Sequence, residues 1–257
     1  MLIKPRIIHI VALVLILFGC NTEKETGRVP ESSDTRSNAL DLYERARMLG
    51  DDQTAIVALN ELLLQDSSNM RYKDSLARLY LRNGEHEPGL KVGAEVMASD
   101  WGNDALLELI AYAHEVTGES DKAIAGFNEL YRSSKNISYR YEVAKIKYTI
   151  GESSEANVIL KELAENNELT EEIEFLAQEG TQKVSIQAAA NFLMAQIALD
   201  RNQHGTAMNY LRAALASSPD FQQAQYGMQQ LQTLMQQQRE QRELQELQRK
   251  YGGGGGF

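Results

Sequence analysis

The chain has only one cysteine, Cys20, among its 257 residues. A disulfide framework within the chain is therefore impossible, and so are zinc sites of the usual kind, which use several thiolates. Basic residues are outnumbered: 26 Lys and Arg against 36 Asp and Glu give a net charge of -10, which argues against bulk electrostatic binding to nucleic acid or to an anionic bilayer. Aromatic residues make up only 7%, whereas Gln, Glu, Ala and Leu recur throughout. This composition favours helices, and 43% hydrophobic residues suffice for a sizeable core.

Long hydrophobic runs are also missing from the sequence. The longest apolar run covers residues 7–18, interrupted only by His9, and is too short to cross a bilayer that needs about 20 residues. Two cations precede this run, which fits the hydrophobic region of a secretory signal peptide. The run ends in Leu-Phe-Gly-Cys at residues 17–20, which resembles the lipobox of bacterial lipoproteins. The resemblance implies that residues 1–19 are removed and that Cys20 is acylated with fatty acids such as palmitate, which anchor the mature chain in a membrane. The alternative is an ordinary secreted protein with a chance cysteine at this position.

The residues that follow Cys20 indicate in which membrane the predicted lipoprotein is anchored. Asn21 stands where an aspartate would resemble a signal for retention in the inner membrane, so the resemblance favours the bacterial outer membrane, with the protein on the periplasmic face. The charged residues 23–25 resemble signals that send some lipoproteins to the cell surface, so the orientation stays open. Residues 20–38 are polar and rich in Ser, Thr and Glu, which predicts a flexible tether with a reach of about 23 Å.

Four glycines recur at nearly constant spacing, because Gly50, Gly84, Gly118 and Gly151 are separated by 34, 34 and 33 residues. Each lies between two helical patterns, where glycine can end a helix. When each glycine is taken as position 15 of a repeat, positions 8 and 20 are small in every repeat, except for Tyr43 in the first. A helix-turn-helix unit with this period resembles the tetratricopeptide repeat. The resemblance implies an all-α solenoid of about five repeats.

The repeats do not fill the chain evenly. The resemblance places repeats one to four at residues 39–168 and a fifth at residues 188–221, with Asn202 in the place of the glycine. The distance from Gly151 to Asn202 is 51 residues, so about 17 extra residues lie between the last two repeats. Alternating apolar and polar residues around a glycine predict a β-hairpin in this insertion, residues 169–187. The hairpin either wedges the seam between two repeats or contacts a partner.

The C-terminal part of the chain continues as helix. Residues 222–251 are rich in Gln and keep a helical pattern, which predicts a long helix that caps the end of the solenoid. The far end of this helix carries a short apolar stripe and either pairs with a second chain or extends into solvent. Residues 252–257 are five glycines and a phenylalanine and are expected to form a flexible tail.

Signs of catalysis are missing from the sequence. The four histidines are dispersed, and neither an HExxH pair nor a G-x-S-x-G, phosphate-loop or S-x-x-K motif occurs. Carboxylates are abundant, but on helices such residues usually form solvated faces. The sequence therefore predicts that the protein is not an enzyme and holds neither a metal ion nor a cofactor.

In the tetratricopeptide family, positions 2, 5, 9 and 12 of each first helix line an inner groove. Carried over to this chain, these positions predict a partner-binding groove formed by Arg71, Arg78, Tyr112, Tyr141, Lys145 and Tyr148. Because Arg and Tyr are favoured at protein interfaces, an extended peptide with acidic and apolar residues is expected to bind there. The alternative is that these residues are ordinary surface positions or fill the seams between helices.

The expected function is a membrane-anchored, non-catalytic scaffold or adaptor whose partners are proteins of the bacterial envelope. The Lys and Asn set of chaperone-binding carboxylate clamps is missing, so that specialised activity is not expected. The alternative is an accessory lipoprotein that binds a glycan or another ligand and is partnered with an outer-membrane complex. The low aromatic content argues against a sugar-binding platform.

Overall fold

The computed structural model describes residues 32–99, 101–178 and 180–251. The predicted signal peptide, Cys20, the first part of the predicted tether and the glycine tail lie outside the described residues. Helices dominate the described part of the chain, and two short strands form the one sheet found in it. None of the described helices is both long and apolar enough to span a membrane.

In the described residues, ten helices form five helical hairpins. The pairs are α1 (Ser32–Leu49) with α2 (Asp52–Gln65), α3 (Met70–Arg82) with α4 (His86–Met97), α5 (Asp104–Val116) with α6 (Ser120–Ser134), α7 (Ser138–Thr149) with α8 (Ser153–Glu165), and α9 (Ile186–Asp200) with α10 (His204–Ser217). Neighbouring pairs contact each other in chain order, through α2 and α3, α4 and α5, α6 and α7, and α8 and α9. The fold is therefore a solenoid of five helical hairpins, as the 34-residue period predicts.

Each helical hairpin turns at a residue with a left-handed backbone. These residues are Gly50 (φ 68°), Gly84 (φ 77°), Gly118 (φ 78°), Gly151 (φ 87°) and Asn202 (φ 56°). In every turn the following residue donates its backbone N–H to the carbonyl five residues earlier; in the third, Glu119 donates to His114 at 2.8 Å. This is the Schellman arrangement, which satisfies the last carbonyls of a helix. The predicted turns are confirmed, including that of the fifth repeat.

We expect Gly118→Ala to lower the free energy of unfolding by about 1–2 kcal/mol, because a side chain disfavours the left-handed conformation. No atom lies within 4 Å of the place that a Cβ would take, so the loss comes from the backbone alone. Gly205 in α10 has equally open surroundings and a right-handed helical backbone, and Gly205→Ala should instead stabilise by about 0.5 kcal/mol. Urea denaturation measures both variants, and equal effects at the two positions would contradict the prediction.

Small residues let the two helices of each hairpin approach closely. At Gly89, an added Cβ would lie 2.7 Å from side-chain atoms of Leu81, which is too close for unstrained packing. Tyr43, the one exception to the pattern, is half-buried and packs on the core of the first two hairpins. The buried small residues at positions 8 and 20 are Ala55, Ala77, Gly89, Ala111, Ala123, Ala144, Ala156, Ala195 and Ala207.

The insertion before the fifth repeat is a β-hairpin, as predicted. Strand β1 (Glu172–Leu176) pairs antiparallel with β2 (Thr181–Ser185), and Ile173 lies opposite Val184. These two side chains are buried while their chain neighbours are more exposed, which confirms the alternating pattern. Because α9 begins at Ile186, the last two residues of the predicted insertion belong to the helix.

Helix α11 (Gln222–Tyr251) follows the fifth hairpin and packs on α10, as a capping helix should. Its last buried side chain is Leu231, and every residue from Arg239 to Tyr251 is exposed. At the other end of the described chain, the prediction of a flexible tether through residue 38 was wrong, because α1 begins at Ser32. Ser and Asp are common in flexible segments but are also favoured where helices begin, so composition alone did not locate this boundary.

The buried side chains form three clusters of unequal size. The largest extends from Ala111 in α5 to Leu231 in α11 and includes the β-hairpin. The other two are much smaller; one joins α1, α2 and α3, and the other joins α3, α4 and α5. The hydrophobic core is therefore concentrated in the C-terminal half of the solenoid.

Candidate binding groove

The groove positions of α1, α3, α5, α7 and α9 form a surface that we call the inner face. Polar contacts join neighbouring first helices across it. They are Arg78 Nη2 to Asn103 Oδ1 (2.6 Å), Lys145 Nζ to Glu115 Oε1 (3.2 Å), and Tyr148 Oη to Asp200 Oδ2 (2.7 Å). Three of the six predicted groove residues therefore take part in contacts that hold the inner face together.

Lys145 lies at the centre of the inner face and is already paired. Its ammonium group contacts the carboxylates of Glu142 and Glu115 and lies 6.0 Å from the ring centre of Tyr112. Burial raises the pKa of Glu142, and the nearby Lys145 opposes this shift. Burial acts to lower the pKa of Lys145, but the charges of the two glutamates and the hydrogen bonds to them raise it overall. Lys145 therefore remains a cation whose charge is compensated inside the protein.

The middle of the inner face is acidic, so it does not suit the acidic peptide that the sequence predicts. Burial raises the pKa of the Tyr112 hydroxyl, and the charges of Glu142, Glu108 and Glu115 raise it further. Three carboxylates therefore lie near the Tyr112 ring, and two of them are paired with the one lysine, Lys145. The ring of Tyr112 packs edge-on against Phe127, with 4.9 Å between ring centres, which fixes it at the surface. A partner that crosses this region meets a rigid aromatic ring in a negative environment.

Of the predicted groove residues Tyr141, Arg71 and Tyr148, the first is buried, the second is exposed and the third is half-buried. Tyr141 is only 5% exposed and belongs to the large core, so its prediction as a groove residue was wrong. A tyrosine ring gains more from burial in the seam between helices than from exposure. Arg71 is exposed and forms no ion pair with a described residue. Tyr148 is half-buried; burial and the hydrogen bond to Asp200 raise its pKa to about 12, so it is a neutral donor.

The N-terminal end of the inner face is basic. A depression of about 370 Å³ between α1 and α3 is lined by Arg47, Arg78 and Arg82 together with Tyr43 and Asp52. The guanidinium of Arg78 is held there by the carboxylate of Asp74, at 2.9 and 3.0 Å. The inner face therefore changes from positive to negative between the second and the third hairpin. No group of three potential metal ligands occurs among the described residues.

Lys145→Met should destabilise the protein by about 1–3 kcal/mol, because it leaves the buried carboxylate of Glu142 without its partner. The additional change Glu142→Gln should restore most of the loss. Since the native pKa of Glu142 is raised, its protonated form is favoured in the folded state, and stability falls as pH rises through that pKa. The loss measured by urea denaturation should therefore be larger at about pH 8 than at about pH 4.5. A pH-independent loss would contradict this explanation.

The C-terminal end of the inner face contains an apolar cleft, which we call the hairpin cleft. Its volume is about 500 Å³, and none of its lining residues is charged. Helix α9 contributes its groove positions, α11 forms the facing wall, and the end of β1 closes one side. The lining residues are Leu176, Ala177, Gln178, Phe192, Ala195, Gln196, Leu199, Leu211, Gln222, Gln223, Tyr226 and Gly227. At its rim, Leu176 is 80% exposed and Tyr226 is 65% exposed.

An aromatic cluster fixes the hairpin at the cleft. The ring centre of Phe175 in β1 lies 4.8 Å from that of Phe221 and 6.0 Å from that of Phe192, and the latter two rings are 5.0 Å apart. Hydrogen bonds add to this: the backbone N–H of Gln178 donates to Gln222 Oε1 at 3.1 Å, and Gln223 Nε2 donates to the carbonyl of Leu176. The wall formed by the hairpin is therefore held in place by both apolar and polar contacts.

The sequence did not predict the hairpin cleft. The predicted groove positions of the fifth repeat are Ala189, Phe192, Gln196 and Leu199; Ala189 is buried instead, and the wall opposite the other three comes from residues before and after that repeat. The available signal was three phenylalanines: Phe175 in the insertion, Phe192 in α9 and Phe221 at the end of the fifth repeat. Their partners depend on tertiary packing, which a periodic pattern does not specify.

The fold is shared with solved proteins, although no family model and no curated protein sequence matches the chain. A tetratricopeptide repeat protein from Parabacteroides merdae ATCC 43184 superimposes with a TM-score of 0.58 over 79% of this chain and 74% of that one, at 15% identity. MamA superimposes with a TM-score of 0.55 over 73% of this chain and 93% of MamA, at 15% identity. YrrB, described as a TPR protein with an unusual peptide-binding site, gives 0.56 over 77% of this chain and 94% of YrrB, at 12% identity. The chain therefore has the tetratricopeptide-repeat fold, and at these identities the likeness concerns the fold alone.

Proposed function

We propose that this protein is a non-catalytic adaptor of the bacterial envelope. In this proposal, lipid on Cys20 anchors it to the outer membrane on the periplasmic side, and the inner face binds a segment of a partner protein. The hairpin cleft is the observation that carries the binding part of the proposal. The cleft is neutral and carries exposed apolar side chains at its rim, and such patches commonly mark interaction sites.

The similarity to YrrB supports binding of a peptide, because that solved protein of the same fold is described as having a peptide-binding site. The charge pattern of the inner face would orient the bound segment. The surface around that segment is basic near α1 and α3, acidic near α5 and α7, and neutral at the hairpin cleft. A segment with complementary groups in this order would fit in one orientation only.

The test is site-specific photo-crosslinking in intact cells. A photoreactive amino acid is placed at Glu108 or Gln196 on the inner face, or at Val158, an exposed residue of α8 that serves as the control. We expect both inner-face positions to crosslink to the same envelope protein at a yield at least about tenfold above that of the control position. Equal yields at all three positions, or crosslinks from the control alone, would contradict an adaptor that binds through its inner face.

A further inference from the structure

We propose that the hairpin cleft is a specificity pocket for a large apolar side chain of a partner peptide whose neighbouring residues are basic. The inference rests on the proposed function, since it names the kind of segment that the inner face binds. It differs from the sequence expectation, which was an acidic and apolar peptide.

The size and lining of the cleft select an apolar group. A volume of about 500 Å³ lies within the range of ligand pockets and exceeds what one side chain requires, so the adjoining backbone of the peptide can enter as well. Phe192, Leu199 and Tyr226 offer apolar surface from opposite walls. Because the lining carries no charge, a buried ionised group would lose its hydration without gaining a partner there.

The polar groups of the cleft suit a peptide backbone. Four of its lining residues are glutamines, whose amides can both donate to a carbonyl and accept from an N–H. An entering peptide backbone can therefore form hydrogen bonds with these amides, whereas a purely apolar small molecule would form none.

The charges beside the cleft favour a basic neighbour. Leu199 in the cleft is followed by the exposed Asp200, which accepts the hydrogen bond from Tyr148 on α7. On the same side of α7, the single cation Lys145 is already paired with Glu142 and Glu115. A segment that leaves the cleft towards α7 therefore passes carboxylates in excess. Lys or Arg in that segment would be attracted, and Asp or Glu would be repelled.

The substitution Gly227→Leu isolates the cleft. Gly227 lines the cleft in α11, and a Cβ there would meet its nearest atom, in Leu211, at 3.4 Å, an ordinary contact distance. The Cβ therefore fits without strain, the rest of the leucine is expected to occupy part of the cleft, and leucine should favour the helix relative to glycine. Gly205→Leu, in α10 with open space around it, is the matched control. A second pair is Tyr226→Ala at the rim and Tyr251→Ala at the far end of α11, where both rings are exposed.

The experiment is selection from a displayed library of random short peptides on the full lipidated chain in detergent micelles. We expect the enriched peptides to combine a large aliphatic or aromatic residue with Lys or Arg. Their binding should weaken at least about tenfold for Gly227→Leu and for Tyr226→Ala, and should stay unchanged for the two controls. The paired change Glu115→Gln with Asp200→Asn should reduce the preference for basic residues.

Three outcomes would overturn the proposal. Peptides could bind the filled and open clefts equally, or the enriched peptides could carry acidic residues beside the apolar one. Alternatively, the chain could self-associate in analytical ultracentrifugation in a manner that Gly227→Leu abolishes, which would make a second copy the occupant. The adaptor function is judged separately: if crosslinks from Glu108 and Gln196 persist in the Gly227→Leu chain while peptide selection fails, the adaptor stands and the cleft assignment does not.

Discussion

Phe221→Ala is expected to lower the free energy of unfolding by about 3–5 kcal/mol, the range for removal of a large aromatic side chain from a core. Phe221 has no exposed surface and lies between Phe175 of the hairpin and Phe192 of α9. Its loss leaves a void at the point where the hairpin, α9 and the start of α11 meet. Urea denaturation measures the change, with Tyr226→Ala as the control, since that exposed ring should cost no more than about 0.5 kcal/mol.

The same variant should release the hairpin before the rest of the chain unfolds. Backbone amides of residues 172–185 should exchange with solvent faster in Phe221→Ala, while those of α5 and α6 should keep their protection. Peptide binding at the hairpin cleft should be lost with the hairpin wall. If the hairpin amides stay protected although global stability falls, the polar contacts alone suffice to hold the hairpin, and the aromatic cluster is not what positions it.

Cys20→Ala is expected to move the protein from the membrane fraction to the soluble fraction. Each buried methylene of an acyl chain contributes about 0.8 kcal/mol to membrane binding, so several chains hold a protein permanently and their removal abolishes retention. Fractionation of cells that express the full chain measures the change. Asn21→Ala, which leaves the cysteine in place, is the matched control and should stay in the membrane fraction. Continued dependence of Cys20→Ala on detergent would contradict the proposed lipid anchor.

The features that the sequence predicted well are those set by neighbours in the chain. Turn conformation depends on a few residues, so the turn at Gly118 could be placed from the 34-residue spacing and that at Asn202 from the repeat pattern around it. Small residues recur at the helix seams because the two helices of every hairpin approach each other closely at these positions. The β-hairpin was found for a similar reason, since alternation of Ile173 and its neighbours is a local pattern with a period of two.

The features that could not be predicted depend on partners far apart in the sequence. Lys145 looked like a free groove cation, but Glu115 lies 30 residues earlier and reaches it only because α5 and α7 are neighbours. Tyr141 occupied a groove position by count, yet its ring turned into the core. The hairpin cleft joins residues from β1, α9 and α11, and no repeat pattern relates these elements.

The hydrophobic core is much smaller at the N-terminal end of the solenoid than at the C-terminal end, so the two ends should resist a pulling force unequally. In a solenoid each hairpin is stabilised only by its neighbours, so a pulling force detaches hairpins one by one, starting from the end that is held least firmly. Here the small clusters under α1 to α4 lie nearest the segment that leads to Cys20, and the large cluster lies beneath the hairpin cleft. Tension between the proposed lipid anchor and a bound partner would therefore unfold the first hairpins before it disrupted the hairpin cleft.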